Sequence, residues 1–487
     1  MIKKYFLYGS LTLFLLFPRT GIPASEQERL TLSESDYSLR KDAAGEVIGL
    51  SLSDAIWLGL RNNYAIRSVY LDRIAQKFDL RVAEDRFTPK LQLSGRYIAG
   101  KNQDANFRKT NLSPKATVLT PLGTRFTLSW TRDNTKSGIN SVHNDGASIT
   151  VIQPLLRGAG TDVNNAPVLL AKLQEQTNRL NLKATISDSI TQIILSYHAL
   201  LRAQEQQSLS AASLKRMRKL VETNKELIDA GRMAQTDIIQ TQADLAMQEL
   251  SAKEAENNVH ATKLALLKLL ALNLKTPIYA TDMLKGTHFS LNVEQSIQKA
   301  QAQQPGYLTQ LLSAKVADIQ LLQARNNRLW DLSLVGGTSQ YRSSSSETRN
   351  WENYLGIQLD IPIGDMTQKQ TEVQARVNVQ KQALHLEEAR INLEQRVINA
   401  IRDTESRWQE YQLAIKASSL SQKKLEIEQE KLQAGRSSNF QVLSFETDLR
   451  NAENARLNTL IQYLNSQAEL DQILGTTLES WEITINE

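Results

Sequence analysis

The sequence contains no cysteine among its 487 residues, and this absence removes several kinds of chemistry. No disulfide can form, no thiolate can serve as a nucleophile or metal ligand, and no lipid can be attached to an N-terminal cysteine. A chain of this length can bury a sufficient core without disulfides. Its stability must therefore come from ordinary packing.

Residue patterns for catalysis or cofactor binding are also missing. The five histidines are His143, His198, His260, His288 and His385. They are far apart, and none has a second ligand at metal-binding spacing. No GxSxG nucleophile elbow occurs. The segment Gly158-Ala159-Gly160 lacks the third glycine of a dinucleotide fingerprint, because Val163 stands there. We expect no metal, no cofactor and no enzymatic activity.

The net charge of +5 is a weak argument for a nucleic-acid partner. Lysine and arginine are interspersed with nearly as many acidic residues, which is typical of solvated helix faces. A predicted secretion signal would also remove the chain from nucleic acid. We expect no nucleic-acid binding.

Long hydrophobic runs are absent except near the N-terminus. Lys3 and Lys4 precede an apolar run, 5–17, which is followed by small residues that end near Ala24. We therefore expect residues 1–24 to be a signal peptide. Residues 25–50 would form an N-terminal extension. No later run of eighteen apolar residues is present, and only a closed β-barrel would then satisfy the backbone inside a bilayer.

The chain also repeats itself. Residues 50–95 align with 291–336 at an offset of 241, and Ala230-Gly231-Arg232 aligns with Ala434-Gly435-Arg436 at an offset of 204. The unit is too long for a solenoid, which favours an internal duplication. The offsets differ by 37 residues, and the surplus includes a predicted hairpin, 115–130, around Pro121-Leu122-Gly123. The sequence leaves open whether this hairpin joins the other strands.

Heptad seams predict long helices in both halves. Ile186, Ile190, Ile193, Tyr197 and Leu200 recur at spacings of three and four. No proline interrupts residues 168–276 or 363–487, and the roughly 65 residues between Asn165 and Ala230 predict a rod of roughly 100 Å. The Ala-Gly-Arg segments predict turns into shorter returning helices capped at Thr236-Asp237 and Ser438-Asn439. We expect the opening helices, 52–87 and 293–329, to stack end to end with the returning ones.

Between these helices, alternating apolar and polar residues predict strands. Examples are residues 91–97, 126–130 and 351–361. This alternation is typical of a transmembrane barrel strand, and equally of a soluble sandwich strand. The long helices on either side favour the barrel. The predicted first repeat, 51–290, contains strands 91–154 and a helical hairpin 165–272. The predicted second repeat, 291–475, contains strands 331–363 and a helical hairpin 365–475. A C-terminal tail, 476–487, follows.

Several segments together resemble the TolC-type outer membrane efflux family (outer membrane factors) over nearly the whole mature chain. They are Leu52-Ser53-Asp54-Ala55-Ile56, Asn62-Asn63-Tyr64, Gln153-Pro154-Leu155-Leu156, Ile361-Pro362-Ile363 and the two Ala-Gly-Arg turns. The resemblance implies a mixed α and β fold, with a long antiparallel coiled-coil tunnel and a transmembrane β-barrel shared by a homotrimer. It implies four strands from each chain in a twelve-stranded barrel.

The resemblance further implies a passive exit channel for efflux or type I secretion in a Gram-negative outer membrane. A periplasmic adaptor and an inner-membrane RND, ABC or MFS pump are the implied partners. Gly231, Arg232, Gly435 and Arg436 mark the implied adaptor-docking turns. Family members with an acidic gate carry aspartates where this chain has Gln441 and Ser444, which leaves Asp237 as the gate candidate.

Two alternatives stay open at this point. Asp237 is either a gate residue or simply a residue that caps or solvates the start of its helix. The chain itself is either the exit channel or a secreted periplasmic coiled-coil structural protein whose strands form a soluble sandwich.

Overall fold

The computed structural model describes residues 48–101, 103, 106–344 and 349–485. The predicted signal peptide and nearly all of the predicted N-terminal extension lie outside the described residues. The described chain combines long α-helices with a large antiparallel sheet, so the prediction of a mixed α and β fold is confirmed.

Both halves of the chain contain the same order of elements: a helix pair, strands, a long helix and a shorter helix. The first half comprises β1 (Ile48–Leu50), α1 (Leu52–Asn62), α2 (Tyr64–Glu84), a 3₁₀ turn (Asp85–Phe87), β2 (Lys90–Lys101), β3 (Asn106–Leu119), β4 (Arg125–Ser137), β5 (Asn140–Pro154), α3 (Thr161–Asp229) and α4 (Asp237–Leu269). The second half comprises β6 (Ile278–Ala280), α5 (Val293–Gln303), α6 (Pro305–Asn327), β7 (Asp331–Ser343), β8 (Arg349–Asp360), α7 (Thr367–Gln433), α8 (Asn439–Leu474) and α9 (Thr477–Ser480). β1 and β6 form a small sheet of their own.

The main sheet has six strands in the order β2-β3-β4-β5-β7-β8, all antiparallel to their neighbours. The four strands implied by the family resemblance are therefore wrong for this chain. The surplus of the first half forms β3 and β4, which pair with β2 on one side and β5 on the other. Their turn is the predicted one, where Gly123 has a φ of +95° and its N–H donates to the carbonyl of Thr120 at 2.9 Å.

The opening helices are broken, although the sequence predicted continuous ones. Asn63 stops α1 and starts α2, because its side-chain oxygen accepts hydrogen bonds from the N–H groups of Ala65 and Ile66. Gln304 caps α6 in the same way, and Pro305 follows at the first helical position, where its missing N–H costs nothing. A side-chain cap therefore divides each opening helix into two, although the hydrophobic periodicity of the sequence continues across the break.

The short helices stack end to end along the long ones, as the sequence predicted. Helix α3 has 69 residues, about 100 Å, whereas α4 has only 33. Where α4 ends, Asn63 at the junction of α1 and α2 donates to the carbonyl of Leu269 at 2.9 Å. Where α8 ends, a Cβ added to Gly475 would lie only 2.8 Å from the backbone of Gln303 at the end of α5. Each long helix is thus covered by two shorter units.

The predicted seam of α3 forms the centre of the largest core cluster. Each of its five residues, Ile186 to Leu200, is at most 2% exposed. In α7 the heptad spacing of the sequence predicts a seam from Val397 through Thr404 to Ile415. This prediction is wrong at its far end, since Ile415 is 36% exposed and Ala414 is buried instead.

Candidate functional site

The first turn, between α3 and α4, is closed by backbone hydrogen bonds at Gly231 and Arg232. The N–H of Gly231 donates to the carbonyl of Ile228 at 2.9 Å, and that of Arg232 to the carbonyl of Leu227 at 2.8 Å. This pair of bonds is a Schellman motif. Gly231 has a φ of +73°, and an added Cβ would meet nothing within 4 Å. Glycine is therefore required here for its backbone conformation rather than for space.

The second turn, between α7 and α8, repeats this geometry. Gly435 has a φ of +74°. Its N–H donates to the carbonyl of Leu432 at 2.9 Å, and the N–H of Arg436 donates to that of Lys431 at 2.8 Å. The predicted turns at both Ala-Gly-Arg segments are confirmed, and each long helix ends at a glycine in the left-handed conformation. Arg232 and Arg436 are both exposed.

The two returning helices begin differently. Ser438 has extended backbone angles, and its hydroxyl accepts from the N–H of Gln441 at 3.3 Å, so its prediction as an N-cap is confirmed. The prediction of a cap at Thr236-Asp237 is wrong. Thr236 already has helical angles and its side chain makes no capping hydrogen bond, because the preceding residues enter α4 through a helical turn.

A buried carboxylate stabilises the second turn. The Ser437 hydroxyl donates to Glu428 at 2.6 Å, and Lys431 lies 3.1 Å from its other oxygen. The hydroxyl first, and then Lys431, hold the pKa of Glu428 below its usual range. The carboxylate is thus ionised at neutral pH.

The three gate candidates lie where α4 and α8 begin. Asp237 is exposed in the first turn of α4, and its carboxylate has no hydrogen-bond or ion-pair partner among the described residues. Gln441 and Ser444 are half-buried in α8. The two helix starts meet, since the side-chain amide of Asn439 lies 3.4 Å from the carbonyl of Asp237.

Just inside this contact, three buried polar side chains join both hairpins. Asn224 from α3 donates to Thr241 Oγ1 at 2.9 Å and to Asn439 Oδ1 at 2.8 Å. Asn439 from α8 donates to the same Thr241 hydroxyl at 2.8 Å. All three are at most 5% exposed. We name Asn224, Thr241 and Asn439 the polar triad.

Sequence reasoning missed the polar triad, although a signal was present. Asn224 lies three residues after Val221 and four before Ile228, so it occupies a seam position of α3. A single polar residue in a seam is a known device for fixing the register of packed helices. The triad therefore fixes how the first turn sits against the second.

A charged layer follows further along the same interface. Glu446 of α8 is 5% exposed and accepts from Ser213 Oγ and Arg216 Nε, each at 2.9 Å. Arg216 also lies 3.4 Å from Glu453. These contacts again connect α3 to α8, and neither Arg216 nor Glu446 was predicted.

The two faces of the main sheet differ in polarity. Register places one set of alternating side chains on a common face, which we name the apolar face. Its members include Leu91, Leu93, Leu112, Phe126, Leu128, Trp130, Ile149, Val151, Trp351, Leu355, Ile357 and Leu359. On β8, the stretch from Trp351 to Leu359 extends about 27 Å along the strand. At a tilt of about 40° this gives roughly 20 Å of height, close to the apolar band of a membrane barrel.

The opposite face carries hydroxyl, amide and charged groups. The hydroxyls of Ser129 and Ser148 are 2.7 Å apart between β4 and β5, and Asn111 donates to Asp133 at 2.6 Å between β3 and β4. The sheet therefore has one face suited to hydrocarbon and one suited to water.

The sheet also has two long open edges. β2 and β8 have 12 residues each, and their outer edges pair with no strand among the described residues. Each edge presents unpaired N–H and C=O groups, which make an extended strand prone to pair with another chain.

Two further observations concern the described part of the chain. Its helices include no candidate for a membrane-crossing segment by length and hydropathy. Within the same residues, no group of three or more His, Asp or Glu side chains is arranged to hold a metal ion.

Solved structures of bacterial channels have the same fold. The Campylobacter jejuni CmeC outer membrane channel matches with a TM-score of 0.68 and 15% identity, covering 91% of this chain and 90% of CmeC. The Vibrio cholerae outer membrane protein VceC matches with a TM-score of 0.68 and 15% identity, covering 87% and 96%. The open-state MtrE outer membrane channel of Neisseria gonorrhoeae matches with a TM-score of 0.67 and 17% identity, covering 88% and 89%.

No protein-family model and no curated protein sequence matches the chain. The likeness is therefore one of fold, and at this level it agrees with the TolC-type resemblance.

Removing the central hydroxyl of the polar triad should loosen the helix turns. In Thr241→Val, two buried amides lose an acceptor at a cost of about 1–3 kcal/mol, so backbone amides near both turns should exchange hydrogen roughly tenfold faster or more. Hydrogen exchange followed by mass spectrometry measures this. Thr447→Val is the matched control, because the Thr447 hydroxyl bonds only to its own helix. Equal protection in both variants would contradict the assigned role.

Proposed function

Because the chain has the fold of outer membrane channels, we propose that it is a passive exit channel of a Gram-negative outer membrane. The main sheet would cross the membrane with its apolar face toward lipid, and the long helices would extend into the periplasm. The observation that carries this proposal is the six-stranded sheet with one apolar face and two open edges. A backbone edge cannot be left unpaired in hydrocarbon, so the edges must close on other copies of the chain.

A homotrimer is the assembly that we propose. Three copies of the six-stranded sheet supply eighteen strands. Barrel diameter grows with strand number, and barrels of 16–18 strands enclose an aqueous channel. Pairing of β8 with β2 of the next copy would leave no edge. The polar face would line the channel.

The helical turns are the proposed contact with a periplasmic adaptor. Gly231, Arg232, Gly435 and Arg436 are exposed there, and the helices that follow the two turns, α4 and α8, border a groove of about 700 Å³. The groove is lined in part by Met247, Leu250 and Phe440, which are each more than half exposed. Exposed apolar side chains beside cationic ones are suited to a protein partner. An inner-membrane RND, ABC or MFS pump would supply the energy for efflux or type I secretion.

The alternative, a secreted coiled-coil structural protein, explains the sheet less well. A soluble sandwich covers each apolar face with a second sheet or with helices. Here Leu91, Leu93 and Leu355 are each more than 70% exposed. Lipid would cover these side chains without a second sheet.

Cell fractionation tests the channel proposal. The expressed protein should stay in the outer membrane after washes with salt and urea and should be released only by detergent, as a trimer. Purified trimer should then form ion-conducting pores in planar bilayers. Recovery as a soluble periplasmic protein would contradict the proposal and favour the structural alternative.

We further propose that Asp237 forms the acidic ring of the periplasmic gate, with the neutral Gln441 and Ser444 beside it. Asp237→Asn should lower the cation over anion permeability ratio by about twofold or more, because a ring of carboxylates enriches cations at a channel mouth. Reversal potentials in planar bilayers measure the ratio. Asp318→Asn, which removes an exposed acid from α6, serves as the control. An unchanged ratio in Asp237→Asn would leave this residue as an ordinary solvated one.

A further inference from the structure

On the apolar face, beyond the apolar side chains at the end away from the helices, one lateral row of the main sheet is rich in arginine. Register places Arg132, Asp145, Arg342 and Arg349 side by side on β4, β5, β7 and β8. Arg132 also pairs with Leu112 of β3, so the row lies on the apolar face. Adjacent strands are about 4.8 Å apart, and the four charged residues therefore span roughly 15 Å. We name Arg132, Arg342 and Arg349 the arginine row.

Among the described residues, the carboxylates near the arginine row are too few to balance its positive charge. Asp145 is the one acid in the row, and its carboxylate lies 3.5 Å from Arg132. Arg342 and Arg349 are directly opposite each other, both exposed, and form no ion pair with any described residue. Like charges placed directly opposite across two strands destabilise a sheet. An anion between the two guanidinium groups would remove that repulsion.

The position of the row indicates which anion. Trp351 precedes the uppermost apolar residues of β8, lies two residues from Arg349 on the same face, and is 71% exposed. On β4, Trp130 has the same relation to Arg132. Aromatic side chains at the end of an apolar band mark the boundary between hydrocarbon and headgroups. The arginine row lies about 7 Å beyond that boundary, at the level of lipid headgroups.

We propose that the arginine row binds the phosphate of an anionic lipid headgroup in the outer leaflet. Arginine donates in a bidentate fork to phosphate oxygens, and clustered cations beside a membrane-crossing segment favour anionic lipids. Arg342 and Arg349 bind the phosphate from two neighbouring strands. Arg132, which is paired with Asp145, lies in the same row. The inference rests on the proposed function, because the apolar face must first contact lipid.

The test uses purified trimer in detergent and two probes, diphosphorylated lipid A and the same lipid with its phosphates removed. Native mass spectrometry measures the bound lipid. Wild type should bind the phosphorylated probe, and the double variant Arg342→Gln/Arg349→Gln should bind it about tenfold less tightly or weaker still. Arg96→Gln/Lys115→Gln is the matched control, since it removes two cations from the opposite face of the sheet.

The outcomes separate this inference from the function on which it rests. Equal binding of lipid A by wild type and the arginine variant overturns the inference, and so does equal binding of the two probes. Inorganic phosphate that displaces lipid A at millimolar concentration would show a site for free anion and would also overturn it. In each case a wild-type trimer that inserts and conducts leaves the proposed channel intact. A wild type recovered as a soluble protein refutes the channel itself.

Discussion

Two strand edges that have no partner among the described residues set the conditions for the rest of this molecule. β2 and β8 have 12 residues each, and the six strands between and including them present one apolar face. In water such edges can pair with strands of other chains, which leads to aggregation. In lipid they do not occur, because the unpaired N–H and C=O groups have no hydrogen-bond partner. In the proposed channel, closure with further copies would satisfy the backbone, and lipid would cover the apolar side chains. The trimer, the membrane location and the aqueous interior of the proposed channel all depend on that closure.

In the proposed channel, the helices would serve the same assembly at the end away from the sheet. Each long helix is covered by one returning helix and one broken opening helix, stacked end to end, which keeps a rod of about 100 Å packed along its length. The polar triad and the Arg216–Glu446 contact then hold the α3 and α4 hairpin against α8. Buried polar contacts of this kind add less stability than apolar packing, but they permit fewer alternative registers. The proposed gate at these turns would depend on such defined positions.

Much of this arrangement could be predicted from local patterns. Seam residues such as Tyr197 and the glycines that stop α3 and α7 follow from helical periodicity and backbone stereochemistry, so the sequence alone was sufficient there. The turn at Gly123 was predicted for the same reason. The number of strands could not be predicted, because β3 contains many polar residues and alternation alone does not show whether the hairpin of β3 and β4 pairs with the other strands. Asn63 and Gln304 cap helices within stretches whose apolar periodicity is continuous, so periodicity alone does not predict these helix ends.

The tertiary contacts could not be predicted from the sequence for a different reason. Asn224, Thr241 and Asn439 come from three helices, and only their packing brings them together. The arginine row likewise depends on register across four strands, which a shift of one residue would send to the other face. Asp237 was identified from its position after a turn, yet its lack of a cap partner was visible only in the structure.

Cysteine cross-linking between the two sheet edges tests edge closure most directly, since the natural chain contains no cysteine. Ser94→Cys on β2 would be combined in turn with Asn350→Cys, Glu352→Cys, Tyr354→Cys, Gly356→Cys and Gln358→Cys on the same face of β8. Closure of three copies predicts covalent dimers and trimers on non-reducing gels for one or two adjacent pairs, and nothing larger. A ladder that continues beyond the trimer, or no cross-link at any position, would contradict a closed trimeric channel.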